Sequence, residues 1–148
     1  MLEGLDKIDW LSLWHFQPEY SARIPQWIRD LTSESESRRS DAKVYLFGEG
    51  TEYGNVTSAT PYIIPFLVEL LGLENTPEKS ALLGGLSEIS FGYVYDDMPI
   101  GSAKDSIASY EAVASGLPIY LRLLKNEEMW CRYYIVELLG RLTDISQN

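Results

Sequence analysis

Residues 64–86 read Ile64-Pro65-Phe66-Leu67-Val68-Glu69-Leu70-Leu71-Gly72-Leu73-Glu74-Asn75-Thr76-Pro77-Glu78-Lys79-Ser80-Ala81-Leu82-Leu83-Gly84-Gly85-Leu86. Counting forward from Pro65, apolar residues stand three and six positions on, at Val68 and Leu71. An acid stands nine on at Glu74, a base fourteen on at Lys79, and a leucine twenty-one on at Leu86. Offsets of three and six or seven mark one face of a helix. The acid falls where a second helix begins, and a carboxylate there favours a helix N-terminus. The stretch therefore predicts a helix, a short turn and a second helix.

The same columns recur on both sides. Ile24-Pro25 is followed by Ile28, Leu31, Glu34, Arg39 and Leu46. Leu117-Pro118 is followed by Leu121, Leu124, Glu127, Arg132 and Leu139. The prolines are 40 and then 53 residues apart. Each unit is a hairpin that cannot bury its own apolar face, whereas stacked hairpins share a core. The expected fold is all-α, a short α-solenoid of three HEAT-like hairpins at about 19–48, 58–92 and 106–143, with an inserted loop at 93–105. The whole chain, 1–148, reads as a single domain.

Local signals fill this frame. Leu2, Leu5, Ile8, Leu11, Leu13 and Trp14 predict an N-terminal capping helix over 2–14. The serine- and glutamate-rich run 33–37 offers caps for the second helix, and Gly48-Glu49-Gly50 ends it. Thr76-Pro77-Glu78 reads as a helix start. Prolines 65 and 118 fall inside predicted helices, so a kink is expected as part of the repeat geometry. Leu86 and Leu139 are expected on the buried stripe of their helices. The loop holds Tyr93, Tyr95, Asp96, Asp97, Pro99 and Gly101 without helical period.

The segment Val56-Thr57-Ser58-Ala59-Thr60-Pro61-Tyr62-Ile63-Ile64-Pro65-Phe66-Leu67-Val68-Glu69-Leu70-Leu71 is similar to a stretch that recurs in bacterial HEAT-repeat domain proteins. That broad group is related to the HEAT-like repeats of phycobilisome lyases. Tyr110-Glu111-Ala112-Val113-Ala114-Ser115-Gly116-Leu117-Pro118 and the opening Asp9-Trp10 with Leu13 and His15 resemble the group too. A His-Gln pair often precedes the Val56 stretch in that group, and this chain has Glu52 and Tyr53 there, so no role of the pair carries over. The group is mostly of unknown function; the resemblance implies a fold and says little about activity.

Composition limits the function. The formal net charge is −10, from 12 basic and 22 acidic residues, a field that repels phosphate backbones and argues against nucleic acid. The arginines and lysine Arg23, Arg29, Arg38, Arg39 and Lys43 are confined to the first hairpin. No apolar stretch approaches the roughly 20 residues that span a bilayer. The start lacks the basic region of a signal peptide, and one cysteine allows no internal disulfide. The expected location is the cytoplasm, with no membrane partner.

Catalytic motifs are missing. The lone His15 has no nucleophile or orienting partner beside it in sequence and reads as a packed or capping residue. Cys131 lies on an apolar stripe and reads as a small hydrophobe. One histidine and one cysteine cannot make a zinc site of the usual kind. Asp96-Asp97 lacks the EF-hand pattern, and Gly84-Gly85 and Gly48-Glu49-Gly50 lack the Lys-Ser/Thr of a P-loop. The chain is expected to be no enzyme and to need no cofactor or metal.

Aromatic residues carry the functional expectation. Ten tyrosines and four tryptophans are many for a chain of this length. Trp130, Tyr133, Tyr134, Glu137 and Arg141 fall on one flank of the last helix, and aromatic residues with arginine anchor protein interfaces. Tyr93, Tyr95, Asp96 and Asp97 form a second candidate surface, because insertions in solenoids project from one face. These residues predict a protein-binding module with a protein partner, basic in character given the acidic field. An immunity-type inhibitor of a basic toxin is one such module. The alternative is a lyase-like or chaperone protein that handles a small molecule, which needs a pocket with convergent polar groups near His15 or Cys131.

Overall fold

Beyond the N-terminal segment, apolar residues at helical spacing become α-helices. The computed structural model describes residues 1–94 and 100–146, with side chains described for all of these except 126 and 143–146. Among the described residues there are seven α-helices and no strand. They are α1 (Ile24–Asp30), α2 (Glu36–Phe47), α3 (Thr60–Leu71), α4 (Lys79–Ile89), α5 (Ala103–Ala114), α6 (Leu117–Asn126) and α7 (Met129–Ser146). The chain is all-helical, and none of these helices is long and apolar enough to cross a membrane.

Helix α1 packs on α2, α3 on α4, and α6 on α7. Between these pairs, α3 rests on α1 and α5, while α4 rests on α2 and α7. One buried cluster runs through all of them, including Ile28, Leu46, Leu67, Leu86, Val113, Ile135 and Leu138. Within α4, Gly84 and Gly85 let both neighbours approach. A Cβ on Gly85 would stand 2.5 Å from the Phe47 ring of α2, and one on Gly84 would meet the Tyr134 ring of α7 at 3.3 Å.

The N-terminal segment departs from expectation. Residues 2–14 form no capping helix; they make two 3-10 turns, Leu5–Lys7 and Trp10–Ser12. Leu2, Leu5, Ile8 and Leu11 repeat every three residues, which is the 3-10 period rather than the α period. Gly4, at φ +86°, turns the chain before the first of these. The Trp10 indole N–H donates to the Leu5 carbonyl at 2.7 Å. The segment lies against α1 and α3: Trp10 meets Phe66, Arg29 pairs with Asp6 at 2.6 Å, and the Leu2 amide donates to Glu69 at 2.6 Å.

The three prolines differ in role. Pro65 lies inside α3, but Pro25 and Pro118 occupy the first turns of α1 and α6, where a missing N–H costs little. Pro118 was expected inside a helix. A turn at Ser115-Gly116 separates α5 from α6 instead. Its cause is Tyr120, fully buried, whose hydroxyl donates to the Val113 carbonyl at 2.7 Å. A Cβ at position 116 would sit 2.5 Å from that hydroxyl oxygen, so glycine makes room for the side chain that holds the end of α5. The start of α5 is equally defined: Ser102 and Asp105 form a reciprocal capping box. The third hairpin thus begins at residue 103, inside the expected loop.

Thr76 does not start α4. Its hydroxyl donates to the Leu70 carbonyl at 2.5 Å and so satisfies the end of α3. Helix α4 starts after Glu78, which is left-handed at φ +54°. The Glu78 carboxylate accepts from Arg39 at 2.5 Å and Lys43 at 2.7 Å, both on α2. These two cations hold its carboxyl below the usual range. The basic column therefore joins neighbours. Arg39 donates to the Ser33 carbonyl at 2.7 Å and reaches forward to Glu78. Lys79 donates to the Glu74 carbonyl and reaches forward to Glu127, each at 3.4 Å. Leu46 and Leu86 are buried, but Leu139, expected on the buried stripe, is half-buried.

Candidate functional site

The flank of α7 that holds Trp130, Tyr133, Tyr134, Glu137 and Arg141 follows from helical spacing: Trp130 stands three and four positions before the adjacent Tyr133 and Tyr134, Glu137 three or four after them, and Arg141 four further on. Tyr134, Glu137 and Arg141 meet α4 at Gly84, Ser87 and Ser90, and Trp130 and Tyr133 pack on Tyr134. Tyr134 lies over Gly84 and is half-buried. Trp130 and Tyr133 stand out at 53% and 50% exposure, large apolar area in water for residues that anchor interfaces. The Tyr133 ring meets Tyr134 edge-on with centroids 5.3 Å apart, and Trp130 meets Tyr133 at 5.8 Å. The rings brace one another, so little side-chain freedom remains to be lost on docking.

The polar members are fixed from below. Ser87 of α4 donates to Glu137 Oε2 at 3.1 Å, and the Tyr133 hydroxyl donates to Glu137 Oε1 at 3.2 Å. That bond holds the Tyr133 phenol above its ordinary pKa. Arg141 Nη1 donates to the Ser87 carbonyl, to Ser87 Oγ at 2.8 Å and to Ser90 Oγ at 3.2 Å. A cation at the last turn of α4 also complements the helix dipole. The Arg141 guanidinium stands 3.4 Å over the Phe91 ring, a cation–π contact.

Phe91 carries the surface onward. It stacks on Tyr93 at 5.5 Å and 22°, so Tyr93, 62% exposed, joins the α7 flank through Phe91 and Arg141. On the other side Tyr53, from the turn after α2, packs on Phe47 at 6.2 Å. Burial first, then the nearby Glu88 carboxylate and Tyr134, push its phenol up to about 12. The result is an aromatic strip over the α4–α7 side, edged by Glu88 and Glu137. Tyr95, Asp96 and Asp97 lie outside the described residues. Tyr53, Glu88 and Phe91 were not expected here. Phe91-Gly92-Tyr93 directly after a helix stripe was the available signal for Phe91; nothing local marked Tyr53.

His15 and Cys131 have other roles. His15 is buried, with Nδ1 2.9 Å from Thr57 Oγ1 and Nε2 2.9 Å from the Tyr45 carbonyl. A carbonyl only accepts, so Nε2 carries the proton and Nδ1 accepts from Thr57. Burial lowers the imidazole to about 4 despite the hydrogen bond to Tyr45. His15 is a neutral polar pin between the N-terminal segment, α2 and the approach to α3. Burial pushes the Cys131 thiol up to about 12, assisted by the Glu128 carboxylate, so no thiolate is available at neutral pH.

No group of three or more His, Cys, Asp or Glu among the described residues is arranged to hold a metal ion. A groove of about 450 Å³ opens beside the strip between Phe91, Ser106, Ile107 and Tyr110. Among the described residues Glu111 is the one carboxylate in its lining; a second cleft, of about 200 Å³, lies against Cys131 and is lined by Glu74, Glu78, Lys79, Glu127 and Glu128. Comparison with protein-family models, curated proteins and solved structures found no match.

Proposed function

We propose that this chain is a non-enzymatic protein-docking module, a short HEAT-like α-solenoid whose aromatic strip receives a basic protein. The solenoid reading is supported by the order of packing, in which first helices meet first helices and second helices meet second helices. It is also supported by the ladder that carries Arg39 to Glu78 and Lys79 to Glu127. The observation that carries the docking reading is the state of Trp130 and Tyr133. Both rings are half in water and braced by neighbours, and the Tyr133 hydroxyl is anchored on Glu137, with Arg141 and Phe91 completing the surface. A core residue would be covered, and a loose surface aromatic would lack such bracing.

The acidic field sets the partner's sign. A charge of −10 steers a cationic protein to encounter and repels nucleic acid, and aromatic anchors then hold the complex. An immunity-type inhibitor of a basic toxin is the specific form of this role that size and charge fit. The test is affinity capture from the source cell extract with the wild-type chain and with Trp130→Ala/Tyr133→Ala. The expected result is a basic protein captured by the wild type, less of it at higher salt, and none by the double variant. Equal capture by both chains would remove the strip from the proposal.

A further inference from the structure

Of the half-buried carboxylates among the described residues, Asp30, Glu69, Asp105, Glu127 and Glu137 each accept a hydrogen bond. Glu52 and Glu88 accept none. Glu52 stands on the 3-10 turn Gly50–Glu52. Glu88 stands on α4 beside a tyrosine from that turn's end and another from α7. The Tyr134 ring lies over Gly84, one turn before Glu88. Tyr53 is near enough for the Glu88 carboxylate, and then Tyr134, to raise its phenol. Gly54, at φ +79°, brings the Tyr53 turn onto α4: a Cβ there would stand 2.4 Å from the Glu88 Cβ. The approach draws Glu88 partly out of water and supplies no donor. Such a group costs the fold free energy, and a cation brought from outside removes that cost. Arg141, the cation of the strip, is already engaged by Ser87, Ser90 and Phe91.

We propose that Tyr53, Glu88 and Tyr134 together seat an arginine side chain of the basic protein that docks on the strip. The inference names the partner's chemistry at that surface and rests on the docking reading. A guanidinium is planar, always charged and weakly hydrated. One face lies on a phenol ring while its N–H edge pairs with the carboxylate. A lysine ammonium is more strongly hydrated and has no flat face for the rings. The charge of −10 draws a basic protein to the chain as a whole, and Glu88 fixes where one of its cations comes to rest. Glu137, the other acid of the strip, is already bonded at both oxygens, to Ser87 and Tyr133.

Titration calorimetry of the full chain with an acetylated hexa-arginine amide and with its hexalysine counterpart, at about 0.15 M salt, tests it. The arginine peptide is expected to bind the wild type about fivefold tighter than the lysine peptide. Glu88→Gln keeps the shape of the side chain and removes its charge. It is expected to weaken the arginine peptide by about tenfold or more, with the thermal melt unchanged. Glu36→Gln, exposed on α2, removes the same charge away from the strip and is expected to weaken it by less than about twofold. Equal weakening by Glu88→Gln and Glu36→Gln overturns the seat, because the field alone then holds the peptide. Equal affinity for the two peptides overturns it as well. Docking is read separately, in the extract capture. Glu88→Gln that captures the basic protein as well as the wild type does overturns the seat, whereas the result with Trp130→Ala/Tyr133→Ala decides the strip.

Discussion

His15 links the fold to pH through a single ring. Its folded value is about 4 against an ordinary 6.5. Above about 6.5 the ring is neutral in folded and unfolded chains alike, and its hydrogen bonds contribute fully. As the pH falls the unfolded chain takes up a proton that the folded chain refuses until about 4. Stability is therefore lost progressively over that window, by about 3 kcal/mol in total. Urea midpoints measured between pH 7 and pH 4 should fall for the wild type, and His15→Gln should start lower and show a flatter slope. Glycines are a second control at this scale. Gly85→Ala places a methyl group 2.5 Å from the Phe47 ring and should cost about 1–3 kcal/mol by overpacking. Ala at Gly140, where a Cβ meets nothing within 4 Å, should cost nothing and adds helix propensity. Thermal melts of the two variants separate crowding from a general intolerance of alanine.

At the scale of elements, the positions of helices were legible wherever two turns of apolar spacing stood together, as at Val68 and Leu71 or Leu82 and Leu86. Their ends were less legible, because ends are decided by tertiary partners. Thr76 has the composition of a cap, but Leu70 offers it a carbonyl, and Glu78, bonded to Arg39 and Lys43, stands in left-handed geometry ahead of α4. Ser115-Gly116 reads as ordinary helix until Tyr120 is known to need the space. At the N-terminus Leu2, Leu5, Ile8 and Leu11 repeat every three residues, a spacing that one face of an α-helix also accepts, so the capping helix expected there is two 3-10 turns instead. Burial then sets the mutational cost. Leu86 is fully buried, so Leu86→Ala should destabilise by about 2–5 kcal/mol. Leu139→Ala should cost less, because Leu139 is half-buried. Ser102→Ala removes the cap of α5 and should cost about 1 kcal/mol. Chemical denaturation of the three variants should rank them in that order for Leu86 against the other two; an equal loss at Leu86 and Leu139 would contradict the packing described.

At the scale of the whole molecule, the strip is assembled from three parts of the chain that sequence spacing does not connect. The α7 flank was legible, since Trp130, Tyr133, Glu137 and Arg141 share one helix. Tyr53, Glu88 and Phe91 were not, because they arrive from the ends of α2 and α4 and meet α7 only through the packing of α4 between them. Arg141 is the joint, bonded to Ser87 and Ser90 and lying on Phe91. The most direct measurement on the proposed docking surface is photo-crosslinking in the source extract with benzoylphenylalanine at Tyr133, compared with the same residue at Ser37 on exposed α2. The expected result is one adduct with a basic protein from position 133, diminished by salt, and none from position 37. An adduct from position 37 alone, or none from position 133, would contradict docking on the strip.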